Sequence, residues 1–271
     1  SNGDDYDISY KFMFIMFSKT DGSLDIIEQT NSDVYEQHLT LNNALNKINT
    51  SSDEFGPNII YHGLNVSETT YTGNYKTYVF LYSNNSNGNQ NIMFTHNYAN
   101  ENFEIPIEVE FLNSDYNDAY PTFNKDNSEI YFTSDRNGIY NIHKTEVNNT
   151  NGIIEILTDN SIDTIKTDTI LSSINNDKCP YILNDFIVFA SDRDGGFGGY
   201  DLYYSFKKDG GWIEPINFGN KINTEFDEFR PIVRSLWDFS NDFMLFSSNR
   251  PGGKGGFDLY YVGIDKINND N

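Results

Sequence analysis

A chain of 271 residues with 18 basic against 40 acidic side chains carries a formal net charge of −22 and one cysteine, Cys179. That charge repels nucleic acid and anionic lipid surfaces, which need cations facing phosphates. One cysteine excludes an internal disulfide and leaves the redox compartment open.

The start, Ser1 to Asp7, is small and acidic. It reads either as the mature end of a bacterial lipoprotein just after a lipidated Cys or as an ordinary chain start, and it contains no signal peptide. The longest apolar run, Phe12 to Phe17, is far shorter than the roughly 20 residues of a membrane helix. It opens the first predicted hairpin, Phe12 to Ser18, with a turn at Asp21-Gly22 and a return over Leu24 to Ile27. Asn46-Lys47-Ile48-Asn49-Thr50 then leads through Asp53-Glu54-Phe55 to Pro57, and a hairpin follows over Tyr78 to Ser83 and Asn91 to Phe94. Leu112-Asn113-Ser114 leads through Asn117-Asp118 to Pro121 and the hairpin Glu129 to Arg136, Tyr140 to Ile142. Leu171-Ser172-Ser173 leads through Asn176-Asp177 to Pro180 and the hairpin Ile187 to Arg193, Tyr200 to Tyr204. Finally Asn220-Lys221-Ile222-Asn223-Thr224 leads through Asp227-Glu228-Phe229 to Pro231 and the hairpin Met244 to Arg250, Phe257 to Tyr261.

These are repeats of one unit. The five residues at 46–50 recur unchanged at 220–224, and four of only 7 prolines stand at one offset. Proline lacks a donor, so its recurrence is expected to mark where a strand begins. Gly-, Asn- and Asp-rich turns between β-branched and aromatic runs predict hairpins. An aromatic content of 15% agrees, because flat rings pack well on a pleated sheet. With an outer segment such as Phe103 to Pro106 or Trp212 to Pro215, each unit has four short strands, an arrangement suited to radial stacking. The expected fold is all-β, one β-propeller domain over 1–271 of four-stranded antiparallel blades. Five blades are favoured, with six as the next count, and the last unit runs out of strand pattern near Ile264.

The proline strand, the Phe-x-Ser-Asp-Arg corner, the glycine loop and Tyr-Asp-Leu-Tyr together resemble the WD40-like PD40 repeat, which forms TolB-like propellers in bacteria. The string from Phe246 to Tyr260 is similar to versions in Bacteroidetes envelope proteins; the likeness is specific over 112–262, weaker over 44–97 and poor before that. The resemblance implies a periplasmic or outer-membrane-associated interaction domain.

Two repeat positions concentrate charge. Arg136, Arg193 and Arg250 occupy one, and Asp53, Glu54, Asp118, Asp177, Asp227 and Glu228 occupy the other. They read either as a ring of charged groups binding a polar ligand or as Arg–carboxylate bonds that fix each blade, and recurrence favours the second, because one ligand needs one site. No catalytic residue, cofactor or metal site is expected. His38, His62, His96 and His143 stand far apart, and Asp192-x-Asp194-Gly195 lacks the rest of a calcium loop. The loop Gly252 to Gly256 precedes a strand and lacks the Ser or Thr of a phosphate-binding loop. The expected function is a monomeric, non-catalytic binding or scaffolding module of the bacterial envelope, not an enzyme, with a protein or glycan partner. The alternative is a propeller glycoside hydrolase or lyase, which would need two carboxylates flanking one bond.

Overall fold

The computed structural model describes residues 13–18, 24–29, 46–64, 75–97, 102–148, 152–235 and 240–266. The chain divides into two compact units, Ser1–Val109 and Glu110–Asn271. The fold is all-β and of the propeller class, with four antiparallel sheets of blade type among the described residues.

In the first unit β1 (Met13–Ser18) and β2 (Leu24–Gln29) form a two-stranded hairpin. β3 (Glu54–Leu64), β4 (Tyr75–Asn84), β5 (Asn91–His96) and β6 (Ile107–Glu108) follow as a four-stranded sheet in that order. The second unit holds three sheets. β7 (Asp118–Phe123), β8 (Glu129–Ser134), β9 (Asn141–Glu146) and β10 (Lys166–Thr167) make one. β11 (Asp177–Leu183), β12 (Phe186–Ser191) and β13 (Asp201–Lys208) make the next, with β14 (Gly211–Trp212) and β15 (Ile216–Asn217) both paired to β13. β16 (Glu228–Arg234), β17 (Asn241–Ser248) and β18 (Asp258–Asp265) make the last.

Against the expected five blades, four blade-type sheets stand among the described residues. Among the described residues the opening hairpin remains a two-stranded sheet, because no proline strand or outer strand extends it. Its expected turn at Asp21-Gly22 lies outside those residues. The last sheet has three strands and ends at Asp265, where the sequence pattern stops.

The repeat prolines differ from expectation in place. They stand inside the first strands, where the pairing register shifts between Phe55 and Asn58, Ala119 and Thr122, Lys178 and Tyr181, and Phe229 and Ile232. A bulge leaves one residue without a ladder partner, so the missing proline donor breaks no hydrogen bond there. The residue before each proline is left-handed, with φ of 60° at Gly56, 56° at Tyr120, 57° at Cys179 and 53° at Arg230. Side chains other than glycine rarely hold that backbone, and it costs about 1–3 kcal/mol each.

Neighbouring sheets of the second unit pack face to face. Tyr131, Ile142, Leu171, Ile182, Ile187, Phe189, Tyr203 and Trp212 form one core between β7–β10 and β11–β15. Val188, Ala190, Leu202, Val233, Met244 and Phe246 belong to a second core toward β16–β18. Both faces of β12 are therefore buried, and all six of its residues are inaccessible. The loop before β13 closes on the next sheet: a Cβ at Gly198 would strike the carbonyl oxygens of Phe226 and Thr224, with Glu225 carbonyl carbon at 2.8 Å. Backbone cannot yield as a side chain does, so Gly198→Ala is expected to destabilise the protein by about 1–3 kcal/mol in urea unfolding.

Candidate functional site

The structure places the predicted arginines and three of the predicted acids, Asp118, Asp177 and Glu228, in one recurring lock, with Asp53 and Asp227 outside it. Arg136 Nη2 donates to Asp118 Oδ1 at 2.7 Å and to the Leu112 carbonyl at 2.6 Å, and its Nε donates to Ser134 Oγ at 2.9 Å. Arg193 repeats this with Asp177 at 2.6 Å, Leu171 at 2.7 Å and Ser191 at 2.9 Å. Arg250 repeats it with Glu228 at 2.9 Å, Ile222 at 2.7 Å and Ser248 at 3.0 Å. The Phe-x-Ser-x-Arg spacing explains itself, because alternate strand residues share a face. The guanidinium thus lies over the ring of Phe132, Phe189 or Phe246 at 5.1, 5.1 and 5.4 Å. The carboxylates Asp118, Asp177, Glu228 and Glu54 are fully buried. Each also accepts from the backbone N–H and hydroxyl of a residue four earlier: Ser114, Ser173, Thr224 and Thr50. In the first sheet Asn84 and Ser86 stand at the Ser and Arg positions, and Ser86 Oγ bonds Asn84.

His143 is packed beside the first lock. It is 1% exposed, Nε2 has no hydrogen-bond partner, and Nδ1 lies 3.5 Å from Thr167 Oγ1. Burial, helped by the Arg136 charge, holds its pKa down to about 4. The unfolded chain takes up that proton near pH 6.5. Its contribution is therefore complete above about pH 6.5 and lost as pH falls toward 4, on the order of 3 kcal/mol in all. Thermal midpoints should fall across that window, and His143→Gln should flatten the fall between about pH 6.5 and 5.

Beside each lock runs a second recurring pair in which Asp and Asn exchange places. Asn117 donates through its backbone and side chain to Asp135 at 2.8 Å each, and Asn176 donates to Asp192 at 2.6 and 2.8 Å. In the other two sheets the carboxylate stands on the first strand. Asn85 donates to Asp53 at 2.9 Å, and Asn249 donates to Asp227 at 3.0 Å. The hydrogen bonds are alike, but the charge sits on the hairpin side only at Asp135 and Asp192.

Those two carboxylates act on one lysine. Lys178, at the β11 bulge, lies 3.6 Å from the centre of the Tyr140 ring and 5.5 Å from that of Tyr200. Burial lowers its pKa, and Asp192 and Asp135 pull the other way. Tyr140 is pushed up to about 12 by burial and then by Asp135, to which it hydrogen-bonds. Tyr200 is raised by burial, with Asp192 and Asp227 adding to it. Next to Lys178 the three left-handed pre-proline residues of the second unit, Tyr120, Cys179 and Arg230, come together. Arg230 Nε donates to the Tyr120 hydroxyl at 3.1 Å, and the Cys179 thiol is also within hydrogen-bond reach of that hydroxyl. Burial pushes the thiol up to about 12.

At this point the backbone repeats and the side chains do not. The pre-proline position carries Gly56, Tyr120, Cys179 and Arg230 in turn. None of Asp135, Asp192, Lys178, Tyr120, Tyr140, Tyr200 or Arg230 stands among the residues expected from sequence. The available signal was disagreement between copies in a column whose neighbours agree. Among the described residues no group of three or more His, Cys, Asp or Glu is placed to hold a metal.

No family model matches the chain, and no curated protein matches it. Solved structures are similar in fold. An exo-β-1,3-galactanase from Clostridium thermocellum is 12% identical over 95% of this chain and 57% of its own, at a TM-score of 0.51. A putative TolB from Agrobacterium tumefaciens is 11% identical over 69% of this chain and 58% of its own, at 0.44. An α-L-arabinofuranosidase from Lactobacillus brevis is 11% identical over 92% of this chain and 80% of its own, at 0.47. The chain thus spans less than two thirds of the galactanase and of that TolB. Likeness at this identity shows the fold alone. It nevertheless overturns the expectation of a non-catalytic module that is not an enzyme. That expectation leaned on the propeller repeat, and the galactanase has the same fold; function resides in the site grafted on a fold.

Proposed function

We propose that the chain is a saccharide-cleaving propeller domain, a glycoside hydrolase or lyase, working in the bacterial envelope on a glycan. The observation that supports this reading is the broken symmetry at the β11 bulge: Lys178 lies 3.6 Å from the Tyr140 ring centre and 5.5 Å from that of Tyr200, and only in these two sheets do the hairpin-side positions carry carboxylates, Asp135 and Asp192. Glycoside cleavage needs two carboxylates on either side of one bond, and we assign those roles to Asp135 and Asp192, which occupy equivalent positions of adjacent sheets. Tyrosine rings offer apolar faces with a polar edge, suited to a sugar ring. The likeness of the repeats to PD40 sequences supports the envelope and a Bacteroidetes-type origin. Among the described residues no helix is long and apolar enough to cross a membrane.

The test is a screen of the purified chain against neutral and uronate-containing polysaccharides. Reducing ends released without an ultraviolet-absorbing product indicate hydrolysis, and an unsaturated product indicates elimination. Release from no member of the panel would end this reading.

A further inference from the structure

The three arginine locks are alike except for one ring on the third strand. Tyr203 stands opposite Phe189 in β11–β15 and Tyr260 stands opposite Phe246 in β16–β18. In β7–β10 the same position, opposite Phe132, is His143. The Arg193 guanidinium lies 4.9 Å from the Tyr203 ring centre, and that of Arg250 lies 4.7 Å from the Tyr260 ring centre. The paired rings keep one spacing: 6.1 Å for Phe189 and Tyr203, 5.9 Å for Phe246 and Tyr260, and 5.8 Å for Phe132 and His143. In β7–β10 an imidazole thus fills the place that a phenol holds beneath a fixed positive charge.

The substitution keeps the shape and changes the chemistry. A phenol is uncharged throughout the acid and neutral range, and its ring face attracts a guanidinium. An imidazole can take up a proton there and become a second cation. The fold provides poorly for that cation. Nε2 of His143 is buried with no hydrogen-bond partner, and Nδ1 lies 3.5 Å from the Thr167 hydroxyl on β10. Charge reaches the ring from two other elements, as Arg136 from the corner after β8 and Asp118 from β7. Burial and then Arg136 oppose the imidazolium, and Asp118 and the Ser134 carbonyl favour it by less. Asp118 is already committed, since Arg136 holds one of its oxygens and Ser114 the other. Lys144, next along β9, turns to the opposite face and pairs with Asp168.

We propose that His143 makes the lock of β7–β10 an acid-sensitive switch: on protonation its imidazolium repels the Arg136 guanidinium, and the Arg136 corner opens while the Arg193 and Arg250 locks stay shut. The opened corner lets water solvate both cations. It also carries Asp135, between Ser134 and Arg136, so acid would displace one of the two carboxylates assigned above to cleavage. That consequence rests on the cleavage reading, and the switch itself does not. The closed lock keeps the ring neutral down to about pH 4, and an opened one takes up its proton near pH 6.5. Opening is therefore favoured as pH falls below about 6.5, by roughly 30-fold at about pH 5.

The guanidinium Nε–H groups read the locks one by one, because each donates to its own serine hydroxyl, Ser134, Ser191 or Ser248. Their exchange with water is followed by NMR on the whole chain between about pH 7 and 5. The expected result is that Arg136 loses about 30-fold in protection relative to Arg193 and Arg250 over that range. Taking the ratio cancels the ordinary effect of pH on exchange. His143→Tyr installs the residue of the other two sheets and should abolish the loss, and the smaller, non-titrating His143→Gln should do the same. A constant ratio, equal loosening of all three locks, or an acid response that survives both variants would each overturn the proposal. The readout needs no substrate, so its failure is distinct from failure of the cleavage reading.

Discussion

The double variant N176D/D192N is expected to lose about 10²–10⁴-fold in turnover on any glycan the chain cleaves, while its unfolding free energy moves by less than about 1 kcal/mol. The variant copies an arrangement the protein already contains. Asp227 and Asn249 make the same two-bond pair with the carboxylate on the first strand, as do Asp53 and Asn85. The swap therefore keeps donor and acceptor counts while withdrawing the negative charge from the hairpin side of β12. A purely architectural pair would tolerate that exchange with no effect on rate. Steady-state kinetics beside urea unfolding separates the outcomes. Unchanged turnover in a folded variant would remove Asp192 from the catalytic pair.

Arg193→Ala is expected to cost about 3–5 kcal/mol of stability. Asp177 is fully buried, and Arg193 supplies its counter-charge at 2.6 Å. The same side chain satisfies the Leu171 carbonyl and Ser191 Oγ and lies over the Phe189 and Tyr203 rings. Truncation leaves a carboxylate in the interior with only Ser173 among these partners, and an uncompensated buried charge is what makes a broken pair expensive. Adding Asp177→Asn should recover part of the loss, since the charge is then gone, and a double-mutant cycle by urea unfolding measures that coupling. A loss under about 1 kcal/mol for Arg193→Ala would mean that solvent reaches Asp177 readily and the lock adds little.

The two experiments bear on different columns of the same repeat. The lock column, Arg136, Arg193 and Arg250 with its buried acids, is alike in three sheets and stood out in the sequence for that reason. The pre-proline and Asp/Asn columns differ from sheet to sheet. Their residues look unremarkable along the chain: Tyr120 and Arg230 lie 110 positions apart, yet hydrogen-bond. Glu129, Asp168 and Trp212 likewise belong to segments that come together only when two sheets pack.

By itself the sequence determined the antiparallel hairpins, the repeat unit, the place of the arginines and acids, and the stop near Ile264. These depend on alternation, turn chemistry and spacing within a few residues. Tertiary structure decided that the opening hairpin stays two-stranded and that the prolines occupy bulges. It also decided which rings Lys178 packs against, Tyr140 and Tyr200. A strand acquires its partners, and a side chain its electrostatic surroundings, only when segments far apart in the chain pack against each other, and a local pattern carries no term for that energy.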